Sequence, residues 1–151
     1  PLPPTMLPRD ENPLRVVKAA AALEQTGQMR AAEKAYAATA RRWPDNLVAH
    51  MGVGNTRYAL HQIKAATVAF REAIAVDPRS AVAHNNLAVS LSDVGCHHYA
   101  LQMARRAVAL DDDDPSFEET LDEISAAPAA KTEPARCADL FVADTSQNRT
   151  Y

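Results

Sequence analysis

The chain has 151 residues, 16 Lys and Arg against 19 Asp and Glu, a net charge of −3, and 47% hydrophobic residues. This is length for one domain with a modest core. A weakly acidic balance without clustered Lys or Arg points away from nucleic acid and from an anionic membrane surface, and no apolar run approaches a membrane span.

Alanine is abundant, glycine is limited to four residues and aromatics to 5%. That balance favours closely packed helices over sheet. The two cysteines, Cys96 and Cys137, allow at most one bridge. That is too few for a disulfide scaffold, so a reducing, cytoplasmic setting is the default. The sequence opens "PLPPTMLP" without a methionine and reads as a fragment or processed form, whose targeting signals can lie outside it.

Five of the first 13 residues are proline, so 1–12 is predicted to be an extended, proline-rich linker. From residue 13 a 34-residue period takes over, giving blocks 13–46, 47–80 and 81–114 without an insertion. Ala32, Ala66 and Ala100 stand in step, as do Tyr36, Phe70 and Ala104, and Thr39, Ala73 and Ala107. Each block reads as two helices. Gly27 and Gly95 mark the turn between them, where a positive φ ends a helix cheaply. The second helix of the middle block spans about 63–76 and stops at "DP", because proline cannot continue it. Small residues at the shared alanine positions let helices approach, and Tyr36 and Phe70 fill the space between neighbouring pairs.

Residues 115–127 follow as "PSFEETLDEISAA", with Asp114 or Ser116 as N-cap and Pro115 in the first turn. Phe117, Leu121 and Ile124 recur at helical spacing under an acidic outer face, which suits a cap over the last repeat. That makes seven helices. Residues 128–151 lack helical periodicity and are predicted to be a flexible tail, with "ADLFVA" at 138–143 as its one apolar island.

The pattern of Ala66, Phe70, Ala73 and Pro78 resembles the tetratricopeptide-repeat family, and the likeness covers residues 13–114. It departs at Val16, His50 and His84, where the family has a tryptophan, at His61 in place of the turn glycine, and at Asp112 in place of the closing proline. The resemblance implies an all-α, right-handed solenoid of three helix-turn-helix units plus a C-terminal capping helix. It also implies a concave groove built from the first helix of each unit. The groove positions fall on Val17, Lys18 and Glu24 in the first block, on Val48, Met51, Asn55 and Tyr58 in the second, and on Asn85, Asn86, Val89 and Asp93 in the third. Leu14 and Val82 occupy further lining positions. One end is therefore apolar and the other presents amides. Lys18, Glu24, Arg57 and Asp93 are expected at the rim.

An asparagine amide offers donor and acceptor together, so it can pair with an extended peptide backbone whatever its sequence. "NNLA" at 85–88 resembles the asparagine ladder of peptide-binding superhelices, with Asn86 at the ladder position; a bond to a neighbouring helix accounts for it equally well. Family members that bind chaperone tails hold a terminal carboxylate with Lys, Arg and Asn. The corresponding places here read Val17, Ala21, Gly52, Val82 and Asn86, so that clamp is absent.

No catalytic constellation appears: there is no Gly-rich phosphate loop, nucleophile elbow or His-Glu-x-x-His. His50 and His84 share a repeat position but number two, short of a zinc set, and read as fillers of an aromatic position. "CHH" at 96–98, with His61 one repeat earlier, has ligand chemistry without ligand spacing. The expectation is a non-enzymatic module, without metal or cofactor, that binds a protein or peptide. Two other readings stand beside it. The alanine-rich stretch 16–46 resembles the C-terminal repeat tails of some bacterial cysteine peptidases related to bacteriocin-processing enzymes, which would make the chain an accessory domain. An exposed apolar face at the first block would make it a self-associating homo-oligomer.

Overall fold

The computed structural model describes residues 12–128 and 133–141. The stretch 1–11 and the residues after 141 lie outside them, so the linker, most of the tail and the end of the 138–143 island are not placed. The described residues form eight helices and no strand. They are α1 (Pro13–Gln25), α2 (Met29–Arg42), α3 (Leu47–Ala59), α4 (Ile63–Val76), α5 (Ala81–Asp93), α6 (His97–Leu110), α7 (Pro115–Ala126) and α8 (Arg136–Phe141). Each helix from α1 to α7 packs on the next, so the chain winds as a solenoid. No described helix is long and apolar enough to cross a membrane.

The period is written in the helix ends as firmly as in the core. Asn12, Asn46, Ser80 and Asp114 stand 34 residues apart, and each side-chain oxygen accepts a backbone N–H of the first turn that follows, at 2.9–3.2 Å. Such a cap satisfies a donor that has no partner within its own helix and contributes about 1 kcal/mol. The turns repeat equally well. In each, the residue at 27, 61 or 95 has positive φ, at 79°, 60° and 82°. The following N–H reaches back to Leu23, Arg57 or Leu91 O at 2.8–2.9 Å. This is the αL closure that glycine adopts without strain. His61 adopts it with a side chain, which costs about 1 kcal/mol.

Buried alanines line the contacts between helices, with Ala20, Ala32, Ala49, Ala66, Ala83 and Ala100 fully enclosed. The aromatics sit against glycine. A methyl group at Gly52 would fall into the Tyr36 ring, and one at Gly54 into the Phe70 ring. The middle repeat thus gives up side chains on α3 so that two rings can lie against its backbone. His50 and His84 are buried as the fillers they were read to be. His50 Nε2 donates to Pro44 O at 2.7 Å and His84 Nδ1 to Ser80 O at 2.8 Å.

The C-terminal segment departs from expectation. Within the stretch predicted to be flexible, residues 136–141 form an eighth helix that packs on α4 and α5. Cys137 and Cys96 are joined by a disulfide, and both are fully buried. Arg71 donates to the Asp139 and Leu140 carbonyls at 3.0 and 2.8 Å, and Arg136 to Val94 O at 3.2 Å. Glu133 accepts the N–H of His98 at the start of α6, at 2.8 Å. A six-residue helix has no stability of its own. Here one covalent and several polar bonds, all to distant residues, supply it. The bridge is the single one that two cysteines allow, and it takes Cys96 out of consideration as a thiolate ligand.

Candidate functional site

The first helix of each repeat, α1, α3 and α5, with α7 following in the same register, presents a surface with two unlike edges. Near the helix N-termini, Leu14, Val48 and Val82 stand 34 residues apart and are 57%, 55% and 50% exposed. Large apolar side chains half in water at the same place on the first helices of three successive repeats make an apolar lip. Ser116 holds that place on α7 and ends the row.

About one to two turns further along, the surface becomes polar. Asn86 Nδ2 on α5 donates to Asn55 Oδ1 on α3 at 3.1 Å. The bond to a neighbouring helix is therefore present. It uses one donor of Asn86 and one acceptor of Asn55, and the Asn86 carbonyl oxygen and the Asn55 amide nitrogen take no part in it. Below the pair lies a cavity of about 190 Å³ lined by Asn55, Tyr58, Phe70, Asn86 and Val89. Its floor is aromatic and aliphatic; its rim carries amides and a phenol.

The far edge is acidic. Tyr58 Oη donates to Asp93 across the α3–α5 cleft. That bond, then burial, then the carboxylate's charge push the Tyr58 pKa up to about 12. The phenol therefore stays protonated and donating through the neutral range. A second cavity of about 110 Å³ opens in the next cleft, lined by Val89, Ser92, Asp93, Thr120, Glu123 and Ile124. Val89 is the wall the two cavities share.

Six of the expected groove residues come together here: Asn55, Tyr58, Asn86, Val89 and Asp93 at the cavities, and Val48 on the lip. The others are placed differently. Val17 is 8% exposed and packs with Ala20, Tyr36 and Val53 in the core, so it has little surface for a ligand. Its place on the surface is taken by Leu14. Met51 is half-buried against the cluster that contains Phe70 and Leu87. Glu24 accepts the Tyr36 hydroxyl at 2.9 Å, and burial, this bond and the charge raise the Tyr36 pKa to about 12. Lys18 is exposed on α1. Asn85 is half-buried, and its Oδ1 is enclosed without a hydrogen-bond partner among the described residues. Arg57 is no rim residue. Its Nε donates to Glu33 at 3.2 Å and an Nη to Ala65 O at 3.3 Å, tying α3 to its neighbours.

The structure adds residues that the sequence reading passed over. Phe70 is cavity floor as well as core, and Thr120, Glu123 and Ile124 extend the surface onto α7. The signal was available: Asp114 continues the cap series of Asn46 and Ser80, so α7 begins as another first helix.

No protein-family model and no curated protein matches the chain. Solved structures do. The chain is similar to the first TPR of Spaghetti (RPAP3) bound to an HSP90 peptide, with a TM-score of 0.73, 15% identity, and coverage of 80% of this chain and 95% of that one. It is similar to the TPR2B domain of yeast Sti1 in its Hsp70 complex, at a TM-score of 0.71 and 17% identity over 75% and 95% of the two chains. The Yersinia enterocolitica type III secretion chaperone SycD, in complex with a peptide of the translocator YopD, gives 0.68 and 20% over 74% and 90%. At these identities the likeness is one of fold, and it agrees with the repeat, the caps and the turns: the described residues fold as a tetratricopeptide-repeat α-solenoid followed by two additional helices, α7 and α8.

Proposed function

We propose that the chain is a protein-interaction module that holds an extended peptide or protein segment across α3, α5 and α7, and carries out no chemistry of its own. The observation that carries this reading is the cavity at the Asn55–Asn86 pair, where the two amides share a lining with the apolar side chains of Phe70 and Val89. Small binding sites have this make-up, with apolar area for affinity and a few fixed polar groups for orientation. The paired amides suit a peptide backbone, and the lip of Val48 and Val82 suits its apolar side chains. That two of the similar structures hold HSP90 and YopD peptides is consistent with this use of the fold.

The test is a double substitution. Asn55→Ala with Asn86→Ala is expected to weaken capture of a bound peptide about tenfold while helicity is unchanged, since two polar contacts at about 0.5–1.5 kcal/mol each are lost. Undiminished capture would move recognition elsewhere, for instance to the second-helix face that bears Arg41, Arg42 and Arg105.

A second reading rests on the same lip. Leu14, Val48 and Val82 would also suit a second copy of the chain. Sedimentation across a hundredfold range of concentration separates the two: a concentration-independent monomer removes self-association.

A further inference from the structure

Charge is divided between the two faces of the solenoid. Neither α5 nor α7 contains a Lys or Arg, and they carry Asp93, Glu118, Glu119, Asp122 and Glu123. Helices α4 and α6 carry Lys64, Arg71, Arg105 and Arg106 instead. The two cavities sample that field differently. The one between α3 and α5 has no ionisable lining group except the phenol of Tyr58, and its floor is Phe70 and Val89. The one between α5 and α7 is walled by Val89 and Ile124 but has two carboxylates, Asp93 and Glu123. Tyr58 donates to Asp93 at the boundary, which holds that carboxylate between the two sites.

From this pairing we infer that the ligand is a segment with an apolar anchor and a Lys or Arg about three residues away, the anchor in the α3–α5 cavity and the cation in the α5–α7 cavity. The inference rests on the groove reading above and specifies its ligand. The spacing follows from geometry. The two cavities lie on either side of α5, and a helix with its side chains is about 10–12 Å across. An extended polyproline-type chain rises about 3.1 Å per residue with three residues per turn, so residues three apart point the same way at about 9 Å. A cavity of about 190 Å³ has room for a leucine- or methionine-sized group, and the smaller one admits the narrow stem of a lysine or arginine, whose methylenes can lie on Val89 and Ile124 while the charge meets the carboxylates. An acidic segment would meet like charge at Asp93 and along α7.

The experiment uses the full chain and an array of ten-residue Ser/Gly peptides, each with one leucine and, two, three or four residues along, a lysine, alanine or glutamate. Binding is then measured by fluorescence anisotropy at low salt. The leucine–lysine peptide at spacing three is expected to bind at least about fivefold tighter than its alanine counterpart and the glutamate peptide weakest, with the difference shrinking at high salt. Asp93→Asn with Glu123→Gln should erase the lysine preference, so that the leucine–lysine and leucine–alanine peptides bind that variant alike. Equal binding of all three classes, or a lysine preference that survives the double variant, overturns the inference. Val89→Arg, which fills the shared wall, separates this from failure of the groove reading. If Val89→Arg abolishes binding but charge makes no difference, only the inference fails. If binding is untouched by Val89→Arg, or no peptide binds at all, the groove reading fails with it.

Discussion

The middle and third repeats follow one register, residue for residue, yet they are fastened by different means. In the middle repeat, Phe70 lies on Gly54 and Tyr36 lies on Gly52, so α3 is held by rings against bare backbone. In the third, the position of Tyr36 and Phe70 is Ala104. It belongs to a cluster with Leu87, Ala100, Ile124 and Cys137, so α7 and α8 supply the bulk that the repeat itself lacks. A periodic sequence therefore sets where helices begin and end, while the filling of the space between them is settled locally. The groove inherits this difference: its deep cavity sits over Phe70, and its acidic cavity sits against α7, beside Ile124.

Phe70→Ala is the sharpest way to break the first half of that contrast. The ring is 1% exposed, and its loss is expected to cost about 4 kcal/mol in urea unfolding. A loss below about 1 kcal/mol would mean that the ring is not what fastens the middle repeat. The second half is broken at the bridge. Replacing Cys96 and Cys137 with Ser opens a loop of 41 residues, for which chain entropy gives about 4 kcal/mol as an upper figure and about 2–3 kcal/mol after local relaxation. Hydrogen exchange should show α8 released while α1–α3 keep their protection. Protection that persists in α8 would assign the docking to Arg71, Arg136 and Glu133 instead.

Smaller effects sharpen the comparison of the turns. His61→Gly gives the middle turn the residue that Gly27 and Gly95 provide in the other two, and is expected to stabilise the fold by about 0.5–1 kcal/mol. The smallest effect is alkaline. Tyr36 and Tyr58 both have folded pKa values of about 12 against an ordinary 10. Each therefore adds stability that is complete below pH 10 and is lost as pH rises through 12, because the unfolded chain gives up the proton first. Unfolding midpoints should fall over that window, and Tyr58→Phe should reduce the slope; an unchanged slope would show that the Asp93 bond does not hold the phenol's proton.

Much of this fold was legible in the sequence because its determinants are local and periodic. The 34-residue step, the glycine turns and the "DP" stop each act within a few residues, and the predicted span of α4 matches Ile63–Val76. The aromatic and alanine positions were legible for the same reason. The strap α8 was not. Its six residues are too short for periodicity, and its anchors are Cys96, Arg71 and Val94, at least 40 residues away in the chain. The groove was legible in part. The family resemblance put Asn55, Asn86, Val89 and Asp93 on one surface, but it could not show that Val17 is drawn into the core or that Arg57 is engaged by Glu33, since both depend on α2.

The central claim is that recognition takes place on the first-helix face. Hydrogen exchange of the full chain with and without a captured peptide tests it most directly. The account predicts added protection in 47–59, 81–93 and 115–126, with α2, α4 and α6 unchanged. Protection confined to α2, α4 or α6, with the first helices exchanging as before, would contradict it.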